Sequence, residues 1–334
     1  MKTIALALFA ALAVGSAFAQ RPNAPPAPQP PPSFVPAVEP ASAQQRLDQR
    51  RPARADGTVE INNMNGSIRV IGWDKNEVAV TGTLGEGEWR LELSGDSLRT
   101  VVQVVVPKNA HGVKEPDLEV HVPANSRVKV KTIFADIEVS KVTGALDLDS
   151  IRGKIRASDS PREVEVYSVH GNIDLFVSSP KVRVRTVSAS LTLQEAQGDV
   201  EVSTVNGKIQ VRGGLERGRF STINGEIQFD GDLKPDGVFQ FDTVNGNVDL
   251  LLPASVRADF QISATGIQNE FGPPPSGDRT FGLDGQSQEG YYPFGSLGGA
   301  HRGSPVRRLN FSTGGGGASV TASSFKGTVK LRKK

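Results

Sequence analysis

The residues that could do chemistry in this sequence are few and scattered. The best acidic group is Asp147, Asp149 and Glu165, which recur at short spacing. Clustered carboxylates on one exposed face are what polysaccharide lyases and hydrolases use for acid–base catalysis, and calcium can bind to them. Lys and Arg interrupt the carboxylates here, which is typical of a solvated, ion-paired surface. We therefore predict no catalytic residues.

Metal and cofactor sites are not indicated either. The four histidines, His111, His121, His170 and His301, lack the short, regular spacing of metal ligands. The chain has no cysteine, which excludes disulfides, Cys-based metal or redox sites and a lipid-anchoring cysteine. We predict that the protein uses no metal and no cofactor.

Two glycine-rich segments invite a functional interpretation. Residues 314–317 are four glycines, but no Gly-Lys-Ser/Thr ending or helix follows them, so they predict a loop and not a phosphate site. The segment 272–307 is rich in Gly and Pro and carries Tyr291, Tyr292 and Phe294. Those rings could stack on a sugar or on another protein, and a disordered excursion is the alternative.

An internal repeat must position most of these residues. Copies such as STVNGKIQV and STINGEIQF recur, and their corner residues are Gly66, Ala135, Gly153, Gly171, Ala189, Gly207, Gly225, Gly246 and Gly327. From Ala135 to Gly225 the corners recur at one constant step, and the step to Gly246 is slightly longer. The stretch between the first two corners alternates apolar and polar residues without this period, so we interpret it as an irregular cap or as wide rungs.

Each copy predicts two short strands that meet at a turn. Asn-Gly suits such a corner because it adopts left-handed backbone angles at low steric cost. The predicted turn ladder consists of Asn65, Gly66, Gly153, Gly171, Asn206, Gly207, Asn224, Gly225, Asn245 and Gly246. A stack of hairpins would use the same dipeptide. The constant short spacing favours an all-β fold, a β-solenoid (β-helix) with rungs of about 18 residues.

Stacked rungs align equivalent residues into columns. The position two after each corner reads Ile68, Ile137, Ile155, Ile173, Leu191, Ile209, Ile227 and Val248, which predicts a buried file with neighbours about 4.8 Å apart. The asparagines at 206, 224 and 245 could form a side-chain ladder. The column six before each corner mixes signs and reads Glu60, Lys129, Asp147, Glu165, Arg183, Glu201, Arg219 and Gln240.

The amino-terminal residues predict export. Lys2, an apolar run over 4–14 and Ser16-Ala17-Phe18-Ala19 form a signal peptide over residues 1–19. Residues 20–57 predict a Pro-rich disordered linker, with room for a fragment of helix near its end, and 58–334 the solenoid domain. No later run is long enough to cross a membrane, so we expect a soluble mature protein. With 38 basic and 36 acidic residues, charge does not indicate nucleic acid as a partner.

The repeats resemble a known family. The segments TVNGKIQV, TVNGNVDL, INNMNGSIRVIGWD and LLPASVRADF are similar to those of the bacterial putative-adhesin family, domain of unknown function 4097. The resemblance covers residues 58 to 334 and implies a secreted or envelope-associated β-solenoid without established enzymatic residues. The chain departs from the family pattern at Ala135, at Ala189 and in the 272–307 insertion.

These observations lead to one leading hypothesis and two alternatives. We expect a non-enzymatic envelope or secreted protein with an adhesion or scaffold role, whose partner is a surface glycan or an envelope protein. A carbohydrate-active β-helix enzyme and a periplasmic accessory of an envelope-stress system are the alternatives. The periplasm, the outer surface and the medium all stay open as the final location.

Overall fold

The computed structural model describes residues 46–84, 89–105, 115–272 and 306–334. Within those ranges all regular elements are β-strands. The strands are β1 (Arg46–Pro52), β2 (Thr58–Trp73), β3 (Glu77–Thr83), β4 (Arg90–Gly95), β5 (Arg99–Val105), β6 (Asp117–Pro123), β7 (Arg127–Ser140), β8 (Ala145–Arg152), β9 (Ile155–Asp159), β10 (Glu163–His170), β11 (Ile173–Val177), β12 (Lys181–Ser188), β13 (Leu191–Asn206), β14 (Ile209–Asn224), β15 (Ile227–Leu233), β16 (Val238–Asn245), β17 (Val248–Leu252), β18 (Ala258–Asn269), β19 (Arg307–Thr313) and β20 (Ala318–Lys333). The predicted signal peptide and residues 20–45 of the predicted linker lie outside the described residues.

The repeats stack in parallel, one rung upon the next. Val164 of β10 pairs with Leu146 of β8 and with Val182 of β12, so each neighbour lies one repeat away along the chain. The segments before the corners form one parallel sheet, and the segments after them form a second. A stack of hairpins would pair antiparallel, so that alternative is wrong. The all-β, β-helix-like prediction is confirmed.

The longer step before Gly246 leaves the stacking intact. Gly218 of β14 pairs with Phe239 of β16, which preserves the column across this step. Leu215 pairs with Leu233, so the extra residues fall in the connection between Leu233 and β16. A loop absorbs the insertion because loops tolerate added length better than the ladder does.

At both ends the order in space differs from the order in sequence. β2 lies between β7 and the rung made of β5 and β6, although those strands follow it in the chain. β20 likewise lies between the β16–β17 rung and β18. Antiparallel strands then cover the outer rungs: β3 and β4 at the amino-terminal end, β19 at the carboxy-terminal end. The outermost strands β1, β4 and β19 each pair on one side only and are short, which limits pairing with another chain.

The folded body begins earlier than the sequence predicts. β1 pairs antiparallel with β3 along its whole length, from Arg46 with Thr83 to Pro52 with Glu77. The prediction of a disordered linker, with a fragment of helix, is therefore wrong for residues 46–52, which form β1. Only Leu47 and Ala53 are buried apolar residues here, which is too few to give an alternation that sequence reasoning could detect.

The predicted aliphatic column forms a continuous interior. From Ile68 to Val248 the eight residues pair rung by rung, and none is more than 1% exposed. Leu118 extends this inner file at one end, and Val329 and Ile267 extend it at the other. Burial of each such side chain stabilises the fold by roughly 1.5–3 kcal/mol, so the file is a major source of stability.

At half of the six glycines in the predicted turn ladder, glycine is required for a different reason than the sequence suggests. Gly66, Gly153 and Gly171 have the predicted positive φ, of 95°, 145° and 123°, but Gly207, Gly225 and Gly246 lie outside the left-handed region, where the prediction is wrong. A Cβ added to Gly225 would lie 1.9 Å from the carbonyl oxygen of Gly207, and one on Gly246 would lie 1.8 Å from that of Gly225. These corners need glycine because successive rungs approach too closely for a side chain.

Candidate binding surface

Strand alternation places two columns of charged side chains on the outside of the first sheet. Val182, Val200 and Gly218 are buried, so the residues on either side of them face outward. One outward column contains Arg183, Glu201, Arg219 and Gln240, in the register that the sequence predicts. The other contains Lys181, Asp199 and Arg217.

These columns border an open groove of about 280 Å³. Its lining residues are Lys181, Val182, Arg183, Asp199, Val200, Glu201, Arg217, Gly218, Arg219, Val238 and Gln240. Because the side chains of Val182 and Val200 point inward, their backbone forms the floor. The groove therefore has a polar rim and a flat floor on the outer surface of the sheet. We call it the arginine groove.

Most charges in the arginine groove are paired. The Arg183 guanidinium lies 3.5 Å from the Glu201 carboxylate, and Arg217 lies 3.8 Å from Asp199. Lys181 donates a hydrogen bond of 2.5 Å to Glu163, which lowers the pKa of that carboxyl below its ordinary value. Arg219 has no ion pair within the described residues and is exposed to solvent.

The arginine groove carries an excess of positive charge. Its lining includes four cations (Lys181, Arg183, Arg217 and Arg219) and two carboxylates (Asp199 and Glu201). Because Lys181 is paired with Glu163 outside the lining, the surplus is one positive charge, at Arg219. A second groove of about 180 Å³ lies on the other sheet and is balanced. Its three cations (Arg69, Lys154 and Arg156) match its three carboxylates (Asp117, Asp136 and Glu138). An anionic ligand would therefore prefer the first groove.

The predicted acidic group lies on the outer surface of the first sheet. Asp147 is next to Glu165 in one column, and its carboxylate lies 3.8 Å from the Lys129 ammonium. Asp149 occupies the neighbouring outward column, beside Lys131 and Tyr167. In the described part of the chain, no three His, Asp or Glu side chains come together in a way that could hold a metal ion.

The two described histidines are far apart in the fold. His121 lies in the β6 rung, where its ring is 4.9 Å from that of Trp73 and its Nε2 is 3.6 Å from Glu119. His170 occupies an exposed corner position at the end of β10. His111 and His301 lie outside the described residues.

The predicted asparagines form a ladder of side-chain hydrogen bonds along the corner. The Asn224 amide donates to Asn206 at 2.8 Å, and the Asn245 amide donates to Asn224 at 2.7 Å. Asn65 lies apart from this ladder, because its neighbour on the next rung is Phe134. The ladder thus links three rungs while its side chains stay exposed to solvent.

The two glycine-rich segments have different outcomes. Residues 314–317 form the turn between β19 and β20, which confirms the predicted loop, and Arg257 donates a hydrogen bond of 3.1 Å to the Gly314 carbonyl. Tyr291, Tyr292 and Phe294 lie outside the described residues, so their contact role stays a prediction.

In the described part of the chain, no helix is long and apolar enough to cross a membrane.

Sequence reasoning missed the arginine groove. Arg219 was assigned to a solvated column of mixed sign, and only the fold brings it beside Arg217 and the Lys181 rung. A detectable signal existed, since Lys181-Val-Arg183 and Arg217-Gly-Arg219 repeat a basic pair with the same spacing two rungs apart.

Comparisons with known proteins give weak structural likenesses. No family model and no curated protein matches the sequence. A crystal structure of a putative adhesin from Bacteroides fragilis aligns with a TM-score of 0.44 and 12% identity, over 61% of this chain and 98% of that one. A putative cell adhesion protein from Clostridium sporogenes aligns with a TM-score of 0.20 and 8% identity, over 87% of this chain and 100% of that one. At these values neither likeness identifies the family or the function of this chain.

Proposed function

We propose that the protein is a noncatalytic binding protein of the bacterial envelope, and that its arginine groove binds an extended anionic glycan. The observation that carries this proposal is the surplus positive charge in the groove, at Arg219, which has no ion pair within the described residues. An unpaired guanidinium is a strong donor to carboxylate or phosphate groups, because its planar fork binds two oxygens at once.

The shape of the groove favours a polymer over a small molecule. Sites for small ligands are usually enclosed and measure about 300–1,000 Å³. This groove is smaller, opens on the outer surface of a sheet and lies across several rungs that repeat at about 4.8 Å. A chain of sugars could lie along such a surface and gain contacts from rung to rung.

Two carboxylates beside the arginine groove, Glu163 and Glu216, serve as ion-pair partners and not as general acids. General acids in glycan-cleaving enzymes need a carboxyl group whose pKa is raised. Here Glu163 and Glu216 have lowered pKa values because lysine side chains, Lys181 and Lys234, donate hydrogen bonds to them. Such carboxylates stay ionised and act as ion-pair partners. The apolar run and small residues at the amino terminus support export to the envelope.

The binding test uses a polyanion and its neutral counterpart. We expect polygalacturonate to bind saturably, with weaker binding at higher salt, and fully methyl-esterified polygalacturonate not to bind. Arg219→Ala should lower the affinity about tenfold, which corresponds to the loss of one charge-assisted hydrogen bond. Arg212→Ala is the matched control, because Arg212 is exposed on the other sheet and pairs with Asp230 at 3.6 Å.

The same incubations separate the binding protein from the enzyme. Release of reducing ends or of unsaturated products would contradict the noncatalytic role. Equal affinities of the Arg219→Ala and Arg212→Ala variants would remove the arginine groove as the site.

A further inference from the structure

An apolar stripe runs along the outside of the corner, beside the asparagine ladder. It consists of the residue two before each corner position, one from each of nine stacked rungs. Five members are 36–60% exposed: Met64, Ile151, Val187, Val205 and Phe325. The other four are half-buried: Ile133, Val169, Ile223 and Val244. We call these nine residues the corner stripe.

Strand alternation turns the corner stripe outward. The residue before each member is a Thr, Ser or Asn whose side chain is buried, such as Thr132, Ser150 and Thr204. Because neighbouring side chains point to opposite faces of a strand, the apolar residue that follows must face solvent. At this position the interior therefore holds a column of Thr, Ser and Asn, and the surface holds the apolar corner stripe. Exposed apolar side chains do not stabilise the solenoid, so its fold does not explain the corner stripe.

The corner stripe is long and continuous. Eight steps of about 4.8 Å make it roughly 38 Å long. At the carboxy-terminal end Thr265 of β18 follows Phe325, whose carbonyl accepts a hydrogen bond of 3.4 Å from the Thr265 hydroxyl. Contiguous apolar surface of this extent is typical of an interface with another protein.

The outward column beside the corner stripe carries a specific pattern of charge. From the second rung to the fifth it reads Lys131, Asp149, Tyr167 and Arg185, and its only other charged member is Asp242 on the eighth rung. Asp149 has no ion pair within the described residues, and Arg185 reaches Glu201 only at 3.9 Å. Both charges are thus available to a partner.

We propose that the corner stripe binds the corner stripe of a second copy of this chain, antiparallel, about a two-fold axis at the fourth rung. In that register Tyr167 lies opposite Tyr167 of the second copy, and Asp149 lies opposite Arg185 of the second copy. The two-fold axis repeats the ion pair, because Arg185 then meets Asp149 of the second copy. The apolar residues of the first seven rungs are then buried between the two copies, and Val244 and Phe325 lie beyond the overlap.

Neighbouring registers are less complementary. An axis at the third rung places Asp149 against itself. An axis at the fifth pairs Lys131 with Asp242 of the second copy, but it also places Arg185 against itself at the centre of the contact. An axis midway between the third and fourth rungs sets Lys131 against Arg185. An axis midway between the fourth and fifth rungs leaves Asp149 facing Ser203. Like charges in direct opposition disfavour an interface, so charge selects the register centred on Tyr167.

The dimensions of the corner stripe predict a reversible dimer. In this register seven rungs overlap, over roughly 29 Å by 10 Å, whereas a standard interface buries about 800 Å² on each partner. The contact is smaller than this and belongs with weak, transient complexes. We therefore expect monomer and dimer to exchange at high micromolar concentrations.

The first test measures association directly. Sedimentation velocity of the mature chain should give a weight-average mass that rises from monomer to dimer with concentration. Val169→Lys, at the centre of the corner stripe, should keep the protein monomeric at least tenfold higher in concentration. Phe176→Lys is the matched control, because Phe176 is 44% exposed but lies on the outside of the second sheet.

The second test fixes the partner and the register. Asp149→Arg and Arg185→Asp should each weaken the dimer, and the double variant should restore it. Because the chain has no cysteine, Tyr167→Cys gives a single thiol, which a short bismaleimide should cross-link into dimers. Ser221→Cys should not cross-link, since the proposed axis places that position about 29 Å from its own copy, six rungs away.

Three results would overturn the proposal. The first is a chain that stays monomeric at high micromolar concentration. The second is a dimer that Val169→Lys does not weaken, and the third is a double charge swap that fails to restore association. Val169→Lys should bind polygalacturonate as the unmodified monomer does, so failure of the dimer is distinguishable from failure of the arginine groove.

Discussion

The inside and the outside of the same rungs follow different rules. The inner file repeats one kind of residue, a fully buried aliphatic, from Ile68 through to Val248. The outward columns keep the same spacing but differ in charge. Lys129 and Asp147 form a pair in one place, whereas Arg219 has no ion pair among the described residues. The inner file and the outward columns lie on the same parallel strands. They differ in whether their side chains are surrounded by other apolar side chains or by solvent.

This difference separates stability from binding. Each inner residue contacts its equivalents above and below, so a change there affects the whole stack. An outward ion pair such as Arg183 with Glu201 is solvated and contributes about 0–1 kcal/mol. The outside is therefore free to carry the arginine groove and the corner stripe without loss of the fold.

Substitution in the inner file should have the largest effect. Ile209 is fully buried, so Ile209→Asp would place an unpaired charge among aliphatic side chains, at a cost of several kcal/mol. We expect no cooperative thermal transition in circular dichroism. The control is Lys208→Ala on the same rung, which loses an exposed ion pair with Glu226 at 3.3 Å. Equal midpoints for the two variants would remove the distinction between inside and outside.

A corner substitution should have an intermediate effect. Gly225→Ala would place a methyl group 1.9 Å from the Gly207 carbonyl oxygen, which forces two rungs apart. We expect a loss of roughly 2–3 kcal/mol, visible as a lower midpoint of denaturant unfolding. Gly214→Ala is the matched control, because its nearest neighbour would be the Asp232 Cβ at 3.9 Å. Similar losses at both glycines would mean that close approach does not explain the corner.

Removal of an outward ion pair should have the smallest effect on the free energy of unfolding. The hydrogen bond from Lys181 lowers the pKa of Glu163 from its ordinary value of 4.5, so the pair stabilises the folded state above that pH. This contribution is lost as the pH falls through the lowered value. Because both side chains are partly exposed, it should be at most about 1 kcal/mol. Glu163→Gln should flatten the stability curve below pH 5, and an unchanged acid limb would contradict this assignment.

Sequence reasoning predicts the middle of the molecule better than its ends. Periodicity alone aligns Ile137, Ile155 and Ile173, because equal spacing gives equal position in a coil. It does not reveal that β2 packs directly against β7 with the β5–β6 rung outside it, since rung order depends on which edges pair. The same limit applies to β20 and β18.

Two surface features differ in how far the sequence reveals them. The repeat contains an apolar residue just before Asn-Gly, and strict alternation from the buried valines would have placed Thr204 inside and Val205 outside. The arginine groove depends on residues from separate rungs, so only the parallel register reveals it. The close approach at Gly225 depends on the carbonyl of another rung and has no local signal at all.

The most direct test of rung-upon-rung stacking is the deletion of one whole rung. Removal of residues 164–181 joins Glu163 to Val182, keeps every column in register and places Asp147 beside Arg183. Removal of one residue fewer from within the strands, 167–183, joins the inward Val166 directly to the inward Val184, which breaks the alternation of inward and outward residues and serves as the control. Stacking predicts that the first variant unfolds cooperatively, with a small loss of stability, and that the second does not fold. Equal unfolding of both deletions would contradict the coil.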